Sequence, residues 1–346
     1  MSLVINTTTS EGIVLAADSR QSYRNRKGMV RIGSDNASKI FQLNKRIGVA
    51  VTGLAFLPED GVLKNTSKFI DEFKRETDVE KLDVKDVAEK LHHLFDKKYN
   101  WREQLKKIPE KIKTDLQRQG CEVLEVKKEQ YIVKFRFKDP QGNLRDGVGG
   151  VDTINLLVAG YNKDGSHEVY ICYIPGEIQK KRDSKEKDKE YGTSWIGQTD
   201  VVQRIILGFD ARIRNVNFIN EAIQKLGQEE VNKQLRNLEY VIQWGTMTLQ
   251  DAIDFCTLMI QTTSAIQRFS DGIVADPGDM PGVGGPIDVA VITPDKGFVW
   301  VNKKKLKVGE NEIDLDKEDN LKGVDSSLNK EVDGQQPTRS VVRKDE

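Results

Sequence analysis

The 346-residue sequence predicts an α+β domain in which helices cover the outer faces of packed antiparallel sheets. Three observations carry this. Four short strand-like runs joined by turns fill the first 50 or so residues, a pair of helical segments follows, and a second alternation of strands and helices closes on two more strands near residue 300.

The first run, Leu3-Val4-Ile5-Asn6-Thr7-Thr8, meets a turn at Ser10-Glu11-Gly12 and continues as Ile13-Val14-Leu15-Ala16-Ala17. Turn residues between β-branched flanks make this a hairpin. A basic, polar segment runs from Arg24 to Arg31. Strands follow at Ser38-Lys39-Ile40-Phe41-Gln42-Leu43 and Ile47-Gly48-Val49-Ala50-Val51-Thr52, with Asn44-Lys45-Arg46 as the turn between them. Two helices come next, one over roughly 58–76 and one from Asp83 to about Tyr99. In the second, Val84, Val87, Leu91, Leu94 and Phe95 share a stripe at helical spacing and Asp83 supplies an N-cap.

Residues 100–150 differ in character. A lysine-rich stretch from Lys106 to Lys113, a solvated helix face, leads to the alternating run Tyr131-Ile132-Val133-Lys134-Phe135-Arg136-Phe137 and a turn at Asp139-Pro140-Gln141-Gly142. This reads as an insertion with its own small helix and hairpin. Strands resume at Ile154-Asn155-Leu156-Leu157-Val158-Ala159-Gly160 and Glu168-Val169-Tyr170-Ile171-Cys172-Tyr173-Ile174. The charged run Lys180 to Glu190 reads as a solvated loop, and helices are expected over about 198–209 and 217–237. Thr248-Leu249-Gln250-Asp251 opens a further helix with a capping box in which Asp replaces the usual Glu; its stripe is Leu249, Ile253, Cys256 and Ile260. The last strands are Ile287–Ile292 and Gly297–Val301. From about 309 the chain is charged and free of aromatic residues, so the expectation is a domain over 2–302, interrupted at about 100–150, and a disordered tail over 309–346.

Composition narrows the function. With 54 basic and 54 acidic residues, there is no net charge to draw the chain to nucleic acid or an anionic membrane. No apolar run reaches the roughly 18 residues of a membrane span. Met1-Ser2-Leu3-Val4 lacks the basic and apolar regions of a signal peptide, and Cys121, Cys172 and Cys256, odd in number and widely separated, read as reduced thiols. These features point to the cytoplasm. Histidine is confined to His92, His93 and His167, and the first two diverge by about 100° on a helix. A Ser-His-Asp triad or histidine-rich zinc site is therefore not expected, nor is any cofactor or metal. Gly147-Val148-Gly149-Gly150 and Gly282-Val283-Gly284-Gly285 read as turns, because neither opens a helix in a βαβ unit.

Five pieces in order resemble one family. Gly12-Ile13-Val14-Leu15-Ala16-Ala17-Asp18-Ser19-Arg20 closely resembles the second-strand signature of proteasome β subunits and their bacterial relatives. Ser38-Lys39-Ile40-Phe41-Gln42-Leu43-Asn44 is similar to the family's lysine-bearing strand, and Val51-Thr52-Gly53 to the glycine after the next strand. Leu156-Leu157-Val158-Ala159-Gly160-Tyr161 and Gly284-Gly285-Pro286-Ile287-Asp288-Val289-Ala290-Val291-Ile292 resemble a mid-chain strand and the late glycine-pair strand. The matches touch about 2–55, 154–210 and 240–302; the 100–150 segment and the tail lie outside them.

The resemblance implies the four-layer αββα sandwich of the N-terminal-nucleophile hydrolases and a homo-oligomer whose sites face an enclosed chamber. It further implies peptide or unfolded-protein substrates and leaves any unfoldase partner open. In the family a threonine opens the mature chain and the strand aspartate lies sixteen residues later; counting back sixteen from Asp18 reaches Ser2. Thr7-Thr8-Thr9 stands too close to Asp18 for that role. Methionine aminopeptidases remove Met before small residues, which exposes Ser2. The resemblance then implies Ser2 as nucleophile with its own α-amine as base, Lys39 as a cation beside the hydroxyl and Asp18 as its partner. The N–H of Gly53 serves as oxyanion donor, and Arg20, Asp279 and Gly284 support the site.

The pattern departs from the family in three places. Ser2 replaces threonine, Val283 stands where a serine precedes Gly284 (the late aspartate being Asp276 or Asp279), and Gly197-Gln198 replaces a Gly-Ser pair. Structural alternatives accompany each role: Asp18 and Arg20 as an ion pair at a strand end, and Lys39 as a side chain reaching the surface. At the level of function the alternatives are a small-molecule amidase of the same fold and a catalytically silent subunit, the latter following if Met1 is retained.

Overall fold

The computed structural model describes residues 2–25, 27, 29–274, 276–277, 281–308 and 311–313. Ten strands build two five-stranded sheets: β1 (Leu3–Thr8), β2 (Ile13–Ala17), β3 (Ile40–Gln42), β4 (Ile47–Gly53), β5 (Ile154–Tyr161), β6 (His167–Ile174), β7 (Ile178–Asp183), β8 (Gly192–Gly197), β9 (Asp288–Thr293) and β10 (Gly297–Asn302). One sheet has the order β8-β1-β2-β9-β10, the other β7-β6-β5-β4-β3, and every pairing in both is antiparallel. Among the described residues seven α-helices accompany them: α1 (Thr66–Glu76), α2 (Val84–Lys98), α3 (Trp101–Arg118), α4 (Asp200–Leu207), α5 (Asn217–Leu226), α6 (Gln228–Leu235) and α7 (Leu249–Phe269). The α+β class expected from the sequence is present.

Alternation along each strand sorts side chains to two faces. On β1 and β2, Val4, Leu15 and Ala17 join Ala50, Leu157 and Ala159 of the other sheet in a core between the sheets. Leu3, Ile5, Val14 and Ala16 point the opposite way, onto Val202 and Ile206 of α4 and Ala252, Cys256 and Ile260 of α7. Both faces of β1 and β2 are thus covered, and every residue of the two strands is buried, the polar Asn6, Thr7 and Thr8 included. Each fully buried Leu, Ile or Val there contributes about 1.5–3 kcal/mol. A third core sets Val49, Leu156 and Val158 against Phe69, Val87, Leu91 and Phe95 of α1 and α2.

Several local expectations change. The helix expected over 58–76 begins only at Thr66, because Phe56–Glu59 and Val62–Asn65 form a hairpin turned at Asp60-Gly61, both with positive φ. Asn65 then caps α1 by accepting from the Ser67 amide at 2.9 Å. The basic stretch after Asp18 is a hairpin of Gln21–Arg24 with Val30–Ser34. The small helix of the 100–150 segment is the 18-residue α3, and its hairpin is a three-stranded sheet of Glu122–Lys128, Val133–Lys138 and Leu144–Gly149. Trp101, Leu105 and Val133 of this segment belong to the core over α1 and α2, so it is packed rather than peripheral.

The charged run from Lys180 begins as strand, since Ile178–Asp183 is an edge of its sheet, where charged side chains oppose further pairing. The helix expected over 217–237 is broken at Gly227 into α5 and α6. The capping box of α7 is as expected: the Thr248 hydroxyl accepts from the Asp251 amide and the Asp251 carboxylate from the Thr248 amide. After Lys303 the chain forms a separate unit in which Leu306–Val308 pairs with Asn311–Ile313. That hairpin enters the region expected to be a disordered tail, and 314–346 lies outside the described residues. Among the described residues no helix is long and apolar enough to cross a membrane.

Candidate active site

Asp18 follows the end of β2, with its side chain fully enclosed, and its carboxylate accepts four hydrogen bonds. Oδ1 takes the Leu3 amide at 2.8 Å and the Lys39 ammonium at 2.6 Å. Oδ2 takes the Arg20 and Gly284 amides, each at 3.0 Å. A carboxylate in such a place is tolerated only because its charge is paired and its lone pairs are used. One oxygen therefore ties the residue after Ser2 to the lysine, and the other ties the β2 end to the turn before β9.

Lys39, just before β3, also donates to the Arg20 carbonyl at 2.7 Å, and its side chain is only 6% exposed. It does not reach the surface, which removes that alternative. Nor does Arg20 pair with Asp18. Its guanidinium forms a two-pronged contact with Asp35, at 2.7 and 3.0 Å, and donates to the Pro281 carbonyl at 3.3 Å. This bond holds the Asp35 carboxyl below its usual range and raises Arg20. Arg20 thus serves the site through its backbone and braces the neighbouring loops with its side chain.

Gly53 ends β4 with φ of 97°, and Gly197 ends β8 with the same value. A Cβ on Gly53 would lie 1.9 Å from the Thr153 carbonyl oxygen, and one on Gly197 would lie 2.0 Å from that of Ser2. Only glycine meets both the left-handed backbone and the close approach. Ser2, Arg20, Lys39, Thr52 and Gly53 line one cleft of about 290 Å³, closed on another side by Asn65, Thr66 and Ser67 at the start of α1. Ser2 is itself buried, 6% exposed. Of the expected site residues, Ser2, Asp18, Lys39, Gly53, Arg20 and Gly284 are brought together; Asp279 lies outside the described residues.

One contributor had no sequence signal. Gln267 of α7 uses its carbonyl oxygen to accept the Gly282 and Val283 amides, at 3.0 and 2.9 Å, and its amide to donate to Gln198 at 3.0 Å. The Gln198 amide in turn donates to the Ser2 carbonyl at 2.7 Å. A glutamine in the last turn of a helix looks like solvent-facing filler, yet this one joins the Ser2 strand to the turn that delivers Gly284 to Asp18. Gln267→Ala is expected to lower stability by about 1–3 kcal/mol in urea unfolding, since it orphans two amides. Gln267→Glu, which keeps the accepting oxygens, is expected to recover most of that; an unchanged midpoint for the alanine variant would discount the network.

Histidine takes no part in the cleft. His92 contacts the Tyr173 and Gly176 carbonyls, His167 contacts the Glu190 carbonyl, and His93 is exposed. Burial pushes the Cys172 and Cys256 thiols up to about 12, away from nucleophilic character. No family model and no curated protein matches the chain. Among solved structures it has a weak similarity to Anbu (ancestral beta-subunit) from Yersinia bercovieri, with a TM-score of 0.42 and 11% identity over 87% of this chain and 88% of that one.

Proposed function

We propose that the chain is a proteasome-like peptidase of the N-terminal-nucleophile class, cleaving amide bonds through an acyl-enzyme on Ser2 after removal of Met1. The observation that carries this reading is the shared oxygen of Asp18, which holds the Leu3 amide and the Lys39 ammonium while Ser2 and Lys39 line the same cleft. The stacking of α1 and α2, two sheets, then α4 and α7 around three cores supports the four-layer αββα reading. The hydrolase domain spans 2–302 in this reading and works as a cytoplasmic homo-oligomer on peptides or unfolded chains.

An α-amine has an ordinary pKa of about 7.7–8.0, so near neutral pH a useful fraction is free to accept the Ser2 hydroxyl proton. The Lys39 cation stabilises the oxygen as it loses that proton, and Asp18 keeps the cation in place. Attack on the substrate carbonyl builds a tetrahedral oxyanion, to which the Gly53 N–H donates. The protonated α-amine then gives its proton to the leaving amine. Water, deprotonated by the same amine, hydrolyses the ester and returns Ser2.

Intact-mass spectrometry before and after treatment with a peptidyl β-lactone tests this. The expected result is loss of Met1 and one adduct on Ser2, absent in Ser2→Ala, with peptide hydrolysis falling by at least about 10³-fold in that variant. A retained Met1, or an exposed Ser2 that never acylates, supports the silent subunit instead. Turnover of small amides but not of peptides supports the amidase.

A further inference from the structure

The hairpin of Phe56–Glu59 and Val62–Asn65 leaves the wall of the Ser2 cleft and returns to it. Leu54 and Ala55 before it, and Asn65 and Thr66 at its end, all line that cleft. Its base is fixed: the Thr66 amide donates to the Ala55 carbonyl at 2.8 Å and the Thr66 hydroxyl to the Leu54 carbonyl at 2.7 Å. Directly opposed residues of an antiparallel pair project to the same side, as do alternate residues along each strand. The register sets Leu57 with Lys64 and Glu59 with Val62 on one side. There Leu57 is buried in the core with Phe69, and Lys64 is held by Glu59 and Glu72. The other side carries Phe56 with Asn65, then Pro58 with Leu63. Asn65 lines the cleft, so this second side is the one continuous with it.

A hairpin with one side on the core ordinarily turns polar residues to the other. This one turns out Phe56, 40% exposed, and Leu63, 68% exposed, with Pro58 exposed beside them. Grouped apolar side chains left in water mark a surface that binds something, and this group adjoins a substrate cleft. A strand rises about 3.3 Å per residue, so Leu63 stands about 7 Å beyond Asn65, a distance that two residues of an extended peptide cover. We infer that Phe56, Pro58 and Leu63 form an apolar lip that binds a non-polar side chain of the peptide held across Ser2. This rests on Ser2 being the nucleophile. The lip selects unfolded segments, because folded proteins bury most such side chains. A second copy of the chain seated on this side would cover the rim by which a peptide enters, whereas a substrate side chain rests on it and leaves the cleft open.

The test measures kcat/KM for two internally quenched peptides, alike at the cleaved residue and carrying either leucines or serines a few residues away on both sides. Wild type, Phe56→Ser/Leu63→Ser and Phe56→Leu/Leu63→Met are compared, with Tm and solution mass measured alongside. Wild type is expected to favour the leucine peptide. The serine variant is expected to lose about tenfold of that preference, mainly through KM, as one side chain loses its apolar cover. Its Tm should stay near that of wild type, and the leucine/methionine variant should keep the preference within about twofold. A wild type with no leucine preference, or a serine variant that keeps it, overturns the inference, while acylation of Ser2 by the β-lactone leaves the Ser2 reading intact. Equal loss on both peptides with a lowered Tm overturns it as an effect on the fold. A smaller solution mass with the preference retained overturns it by assigning the lip to a contact between copies. If the β-lactone never acylates Ser2 in wild type, the Ser2 reading fails and this inference fails with it.

Discussion

Asp18→Ala is expected to lower the free energy of unfolding by about 4 kcal/mol or more, the largest stability effect of any single change in the site. The substitution strips the partner from a buried ammonium, and removing one member of a buried pair typically costs about 3–5 kcal/mol. It also leaves the Leu3, Arg20 and Gly284 amides without their acceptor. Asp18→Asn keeps an accepting oxygen but not the charge, so it should fall between. Urea unfolding of the three proteins, read at the midpoint, decides the matter. A loss under about 1 kcal/mol for the alanine variant would mean that Lys39 finds another partner and that Asp18 is not the organising group.

Gly53→Ala is expected to combine a stability loss of about 3 kcal/mol with at least a 10²-fold drop in the rate of Ser2 acylation. The methyl group would lie 1.9 Å from the Thr153 oxygen and 2.8 Å from its carbonyl carbon, at a φ of 97° that L residues rarely adopt. Neither contact involves a flexible side-chain end, so the backbone must move. The displaced peptide carries the proposed oxyanion donor, and a shift near 1 Å is enough to disable such a site. Gly197→Ala applies the same clash on the other side, against the Ser2 carbonyl oxygen at 2.0 Å. If Gly53→Ala acylates at the wild-type rate despite a lowered Tm, the glycine serves the fold alone and the oxyanion donor lies elsewhere.

The strands that carry the site could be read from the chain because their physics is local. β1 and β2 are runs rich in apolar and β-branched residues around a polar turn, and the α7 capping box is complete within four residues. Asp18, Lys39 and Gly53 were expected as site residues from the resemblance of the segments that carry them to one family. The hairpin at Phe56–Asn65 was equally local, signalled by Asp60-Gly61, and was obscured by the helical pattern that follows it.

The remaining features are decided by partners distant in sequence. β8 pairs with β1 although Asn6 and Thr193 lie 187 residues apart, and β7 is charged because it is an edge; neither fact shows in a short window. Arg20 pairs its guanidinium with Asp35 while the Lys39 ammonium takes Asp18, a division of partners that the sequence does not show. The Gly284 amide reaches Asp18 across 266 residues, and Gln267 acquires its role only when α7 lies against the turn before β9. The sequence by itself determined β1 to β6, β9 and β10 and supplied the residues of a buried, charge-paired site. Tertiary structure decided which of them meet, because hydrogen bonds and ion pairs act over a few ångströms of space whatever the separation along the chain.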